Sequence, residues 1–271
     1  MFEKSREFVH SAQDITDISP STEWLSPHPV PKLTGGEVHI WRAPLALAPE
    51  VLTRFKSTLS EDELARVERF VFQRDASSFT AARGILRDLL GRYLACPPQS
   101  VHFAYGAFGK PELAPGRGRL GELIRFNLSH SHGLALFALA IDRNVGIDLE
   151  MIRPDAAAQD IAARYFSADE TKELKSLPVE EQDEGFFTCW TRKEAYVKAR
   201  GNGLQIPLDS FSVTFSPGQP AILSAQDGTD WSIESFVPAV GKEQKSVAAF
   251  VVEGREYRRR FFEWSFEYPK G

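Results

Sequence analysis

Hydrophobic and polar residues alternate along Val38-His39-Ile40-Trp41-Arg42, the period of a β-strand with one buried face. The period then lengthens. Ser60 with Glu63 three residues on forms a capping box that opens a helix through Leu64, Val67 and Phe70, with Arg66 and Arg69 elsewhere on its surface. Phe79, Ile85, Leu86, Leu89, Leu90 and Leu94 fit the stripe of a second helix over 78–94. Val101–Tyr105 returns to a strand, followed by a loop that carries Gly109-Lys110-Pro111. Phe126 and Leu128 alternate with Asn127 and Ser129 in a strand that breaks at Gly133. Leu134–Ile141 is apolar throughout, a fully buried strand, and Asp142-Arg143-Asn144 is expected to turn it back into Val145–Glu150 as a β-hairpin.

Beyond Pro154 the period is helical again. A short helix is predicted over 160–165, a second capping box at Ser167 and Glu170 opens another, and a long helix follows over 182–200. Phe186, Phe187, Trp190, Ala195 and Val197 give the long helix an apolar side, and Gly201 caps its end. The segments 211–215, 231–233 and 247–252 read as strands of a second antiparallel sheet. The fold class is therefore α+β. Residues 1–36, with four prolines after position 19 and Gly35-Gly36, read as an extended lead-in that Trp24 and Leu25 dock on the body.

The stretch Asn144–Glu150 holds the first chemistry. Val145, Ile147 and Leu149 share one face of the strand, which leaves Asp148 and Glu150 together on the other, roughly 7 Å apart at Cα. Such a pair is either a solvated face or a site for a hard cation, since Mg²⁺ takes one or two carboxylates, keeps waters and shares substrate phosphates. Lys110 on its loop is a point charge that suits a phosphate. Arg83 and Arg87, one turn apart, are a solvated face or an anion site. Ser129 and His130 stand at a strand end; His130 is a structural histidine or a phosphate donor, and the adjacency makes no hydrolase, because neighbours on a strand point apart. Thr191, Glu194 and Lys198 fall on one line of the long helix, so Glu194 and Lys198 are a surface i,i+4 pair or a third carboxylate with a lysine beside it.

Composition narrows the class without choosing a function. The 271 residues, 42% hydrophobic and 25% charged, suit a globular protein. A formal net charge of −5 argues against nucleic-acid binding. Two cysteines, Cys96 and Cys189, exclude a disulfide framework and fit a reducing compartment. With no apolar segment near the N-terminus and none long enough for a membrane span, a cytoplasmic location is expected.

Three groups of residues together resemble one family. Phe126-Asn127-Leu128-Ser129-His130-Ser131, then Val145-Gly146-Ile147-Asp148-Leu149-Glu150, then Trp190-Thr191-Arg192-Lys193-Glu194-Ala195-Tyr196-Val197-Lys198 with Gly201-Asn202-Gly203-Leu204, look like the 4′-phosphopantetheinyl transferases of the surfactin-synthetase-activating type. The Gly109-Lys110-Pro111 loop is a fourth match. The resemblance, over residues 38–252, implies a pseudodimer of two similar α+β halves, taken here as 37–143 and 144–271, with the active site between them. It implies transfer of phosphopantetheine from coenzyme A to an apo acyl or peptidyl carrier protein by a monomer. Asp148, Glu150 and Glu194 would hold Mg²⁺, or Mn²⁺ in its place. Lys198 would meet the phosphate or the leaving group, and Glu194 or a metal-bound water would take the serine proton. Asn127, Ser129, His130, Tyr105, Gly109 and Lys110 would line the nucleotide site, with Arg66 and Arg83 near the 3′-phosphate. Glu63, Glu68 and Ser78 depart from the more basic residues of other members there. A metal-dependent phosphohydrolase, a coenzyme A-dependent acyltransferase and a non-catalytic binding module are the rival readings; too few Asp and His ligands for two metals count against the first.

Overall fold

The computed structural model describes residues 23–116, 118–154, 157–201, 203–238 and 245–266; residues 1–22 of the lead-in and Asn202 of the third motif lie outside them. The strands are β1 (Glu37–Pro44), β2 (Phe103–Tyr105), β3 (Pro111–Leu113), β4 (Ile124–Ser131), β5 (Leu134–Ile141), β6 (Val145–Met151), β7 (Ser212–Val213), β8 (Leu223–Ser224), β9 (Trp231–Phe236), β10 (Ser246–Glu253) and β11 (Arg258–Glu263). The helices are α1 (Pro49–Lys56), α2 (Glu61–Glu68), α3 (Gln73–Leu94), α4 (Gly118–Leu123), α5 (Ala158–Tyr165), α6 (Ala168–Ser176) and α7 (Val179–Arg200). Both capping boxes are formed.

A four-stranded sheet in the order β11-β1-β5-β4 faces a three-stranded sheet in the order β6-β10-β9. Alternation along each strand makes the layers. Val38, Ile40, Leu136, Ala138 and Ala140 of the first sheet meet Val145, Ile147, Leu149, Ala248, Phe250 and Val252 of the second in a core between them. The opposite parity of the first sheet, Trp41, Phe137 and Leu139, packs under Ile85, Leu86, Leu89 and Leu90 of α3. The outer parity of the second, Val247, Ala249 and Val251, packs under Phe186, Phe187, Ala195 and Val197 of α7. The order is thus helix, sheet, sheet, helix, a mixed α+β architecture.

The expected hairpin between Leu134–Ile141 and Val145–Glu150 does not form. β5 pairs with β1 and β4, whereas β6 pairs with β10 in the other sheet. The aliphatic face of β6 covers the first sheet instead of extending it. The hairpin that does form joins β4 to β5 through His132 and Gly133, whose φ values of 46° and 82° suit a primed turn. Segments 231–236 and 246–253 are antiparallel neighbours as expected, but β7 joins β8 in a separate two-stranded ribbon.

The C-terminal segment crosses back as well. β11 runs parallel to β1, and Leu25 bridges to Phe262 on its far side. Trp24 lies against Phe236 and Phe261, so the end of the lead-in is docked as expected. Arg258 and Arg260 pair with Glu37, and Arg259 pairs with Glu234.

Candidate active site

Where β4 and β6 run side by side, the two sheets are stitched through side chains. Asn127 Oδ1 accepts the Ile147 amide, Ser129 Oγ donates to Asp148 Oδ1 at 2.9 Å, and Ser131 Oγ donates to Glu150 Oε2 at 3.3 Å. Period-two alternation on β4 sends all three the same way. Above this seam lies a cavity of about 510 Å³. Arg66 of α2 and Phe79 and Arg83 of α3 form one wall; Asp148 and Glu150 of β6 and Trp190, Glu194 and Lys198 of α7 form the other. Ser129 and His130 lie between.

Lys198 does not pair with Glu194. Its Nζ sits 2.5 Å from Asp148 Oδ1 and 3.3 Å from Ser129 Oγ. Asp148 is buried, and its other oxygen, Oδ2, has no hydrogen-bond partner among the described residues. Burial first, then the charge of Asp148, pushes the Glu150 carboxyl above its ordinary range, against the Ser131 hydrogen bond, Lys198 and Arg153. Burial also raises Glu194, against the pull of Lys198. Desolvation, then Lys198 and Arg66, lowers His130.

The three carboxylates expected to bind a metal therefore line one cavity, but they are not drawn together. Among the described residues no group of three or more His, Cys, Asp or Glu is placed to hold an ion by itself. The donor chemistry still suits a hard cation, which accepts one or two carboxylates and completes its shell with water and phosphate oxygens. The unpartnered Oδ2 of Asp148 is the atom that such an ion would satisfy.

Other expected site residues are placed differently. Lys110 turns away from the cavity: its Nζ donates to the carbonyls of Val145, Lys198 and Ala199, the latter two in the last turn of α7. Burial pushes its pKa down to about 8. With Gly109, Asn127 and Leu128 it lines a second cavity of about 240 Å³ that shares Glu194 and Lys198 with the first. Tyr105 is exposed at the end of β2. Arg83 and Arg87, read as a solvated face or an anion site, are both buried and both paired with Glu63, at 3.2 and 2.7 Å.

Three site residues, Trp190, Phe79 and Ser131, were outside the expected set. Trp190, Glu194 and Lys198 stand at i, i+4 and i+8 of α7, and all line the cavity. Thr191, placed on that line from sequence, is fully buried and hydrogen-bonded to the Phe187 carbonyl. Spacing four was the usable signal for Trp190. Phe79 carried the signal of a core stripe, and Ser131 shared the parity of Asn127 and Ser129.

Residues 144–251 match the profile described as the 4'-phosphopantetheinyl transferase superfamily, and residues 47–141 match that described as 4'-phosphopantetheinyl transferase, N-terminal. The 4'-phosphopantetheinyl transferase HetI of Nostoc sp. is 42% identical over 89% of this chain and 98% of its own length. The chain belongs to the 4′-phosphopantetheinyl transferase superfamily. Two further superfamily members are similar over shorter spans. One is psf-1 of Bacillus pumilus, 35% identical over 66% of this chain and 74% of its own. The other is Sfp of Bacillus subtilis, 31% identical over 62% and 71%. In this member of the superfamily, the motif pieces from β4, β6 and α7 meet around the larger cavity.

Proposed function

We propose that this chain transfers 4′-phosphopantetheine from coenzyme A to a serine hydroxyl of an apo acyl or peptidyl carrier protein, leaving holo carrier protein and 3′,5′-ADP. One observation supports this reading above the others. In a superfamily member, one cavity carries a basic wall facing a wall of three carboxylates and a lysine. An acyltransferase has no use for the carboxylate wall, and a two-metal phosphohydrolase wants more Asp and His ligands than line this cavity.

The reaction makes one P–O bond and breaks another. The carrier serine oxygen attacks the phosphorus next to pantetheine, and the bond to the 3′,5′-ADP oxygen breaks. Glu194 takes the serine proton; a carboxyl raised by burial is nearer the working pH of a general base. Lys198 steadies the charge that gathers on the leaving phosphate. Asp148 and Glu150, with Glu194 beside them, would hold Mg²⁺, which supplies charge neutralisation for the pyrophosphate when bound. Ser129 and Ser131 hold the first two carboxylates in place, and Ser129 with His130 lies where the nucleotide phosphates pass. Gly109, Asn127 and Lys110 shape the smaller cavity beside the nucleotide, and Tyr105 borders the basic wall. The two sheets with their 22-residue helices are read as related halves acting within one monomer. The setting is the cytoplasm.

Intact mass spectrometry tests this directly. An apo carrier incubated with the protein, coenzyme A and Mg²⁺ should gain one phosphopantetheine group, and EDTA should abolish the gain. No gain across acyl and peptidyl carriers would overturn the reading.

A further inference from the structure

Glu63 departs from the basic character expected beside the phosphates, and on sequence grounds it counts against an anion there. Its placement reverses that. It is 1% exposed and touches two helices at once. Oε2 accepts the Ser60 amide at 3.0 Å, closing the N-terminus of α2, and the Nε of Arg87 at 2.8 Å. Oε1 pairs with the Nε of Arg83 at 3.2 Å. Arg87 is then fully committed, since its Nη1 also donates to the Val101 carbonyl.

Arg83 is not. It is 7% exposed, lies over Phe103 at 5.0 Å, and lines the cavity, yet its buried Nη1 has no hydrogen-bond partner among the described residues. An unpartnered buried guanidinium N–H is costly unless a ligand completes it. Arg66, one turn beyond Glu63 on α2, reaches the same cavity over Phe79. Coenzyme A brings a pyrophosphate and a separate ribose phosphomonoester. The carboxylate wall repels either without a cation. The arginine wall needs none, so it suits the phosphomonoester, which takes no part in bond making.

We infer that Glu63 is the positioning residue of this arm: it fixes Arg83 by a direct ion pair and Arg66 through the cap of α2, and so sets the preference for coenzyme A over its form lacking the phosphomonoester. The inference rests on the transferase reading above. Without the carboxylate, Arg83 and Arg87, both over Phe103, are left as unshielded like charges and Arg83 loses its anchor.

The experiment compares coenzyme A with dephospho-coenzyme A in wild type, Glu63→Gln and Glu63→Asp. Glu63→Gln should raise KM for coenzyme A about tenfold with little change in kcat, the pattern of lost ground-state binding. KM for dephospho-coenzyme A should stay at the wild-type value. Glu63→Asp keeps the buried charge on a shorter arm and should show a smaller rise, again with coenzyme A alone. If Glu63→Gln does not fold, the Glu63→Asp comparison decides. Equal rises with both substrates, or a fall in kcat at constant KM, would overturn the inference. Calorimetry on wild type separates the two levels. If neither compound binds, the transferase reading fails; if both bind equally, that reading stands and the arginine arm does not read the phosphomonoester.

Discussion

Asp148 has one oxygen shared by Ser129 and Lys198 and the other buried without a partner among the described residues. Asp148→Ala should leave the fold in place but cut transfer by about 100-fold or more, the scale seen when one transition-state stabiliser is removed. A single-turnover assay with apo carrier measures it. Glu150 makes the opposite demand on stability. A carboxyl whose folded pKa is raised holds its proton more tightly in the native state, so its cost is absent in acid and appears as pH climbs above the ordinary value of 4.5. Glu150→Gln should therefore stabilise the EDTA-treated protein at pH 7, by less than about 1 kcal/mol for a partly buried group, and leave it unchanged at pH 4. Urea midpoints at the two pH values give the comparison. Asp148 and Glu150 were legible from strand parity alone. The fate of Arg83 and Arg87 was not, because Glu63, which buries them, lies on another helix at a separation no local spacing reports.

Helix α7 sits directly on β6, and Gly146 is the reason. A Cβ there would stand 2.1 Å from the Ala195 carbonyl oxygen and 2.3 Å from the Ala199 amide, both backbone, so neither can swing aside. Gly146→Ala must push the helix off the strand. Overpacking of this kind typically costs about 1–3 kcal/mol. It should also part Lys198 from Asp148, so transfer should fall more than stability does, as a thermal melt and a turnover assay on one sample would show. From sequence, Gly146 was only one member of a motif; which backbone it admits depends on the helix laid across it. The hairpin expectation failed for a related reason. The Asp142-Arg143-Asn144 turn and two apolar runs fit a hairpin locally, but the aliphatic parity of β6 finds more cover on the face of the first sheet than beside β5. Period two decides which side is buried; it does not decide against what.

Over the whole molecule the chain closes on itself at β11. The matched profiles end at residue 251, before this strand begins. Yet Phe262 is fully buried beside Trp41 and His39, with ring centroids 4.8 and 5.0 Å away, and Phe261 on the other face packs against Phe236 of the second sheet. One strand thus supplies two cores, and the first sheet belongs to both. Phe262→Ala should cost about 3–5 kcal/mol, the usual price of emptying a buried aromatic site. Because the core between the sheets links the two helical layers, that loss should lower a single unfolding transition, followed equally by tryptophan fluorescence and far-UV circular dichroism. Two separated transitions, with only one moved, would show that the layers unfold independently and that β11 braces the first sheet alone.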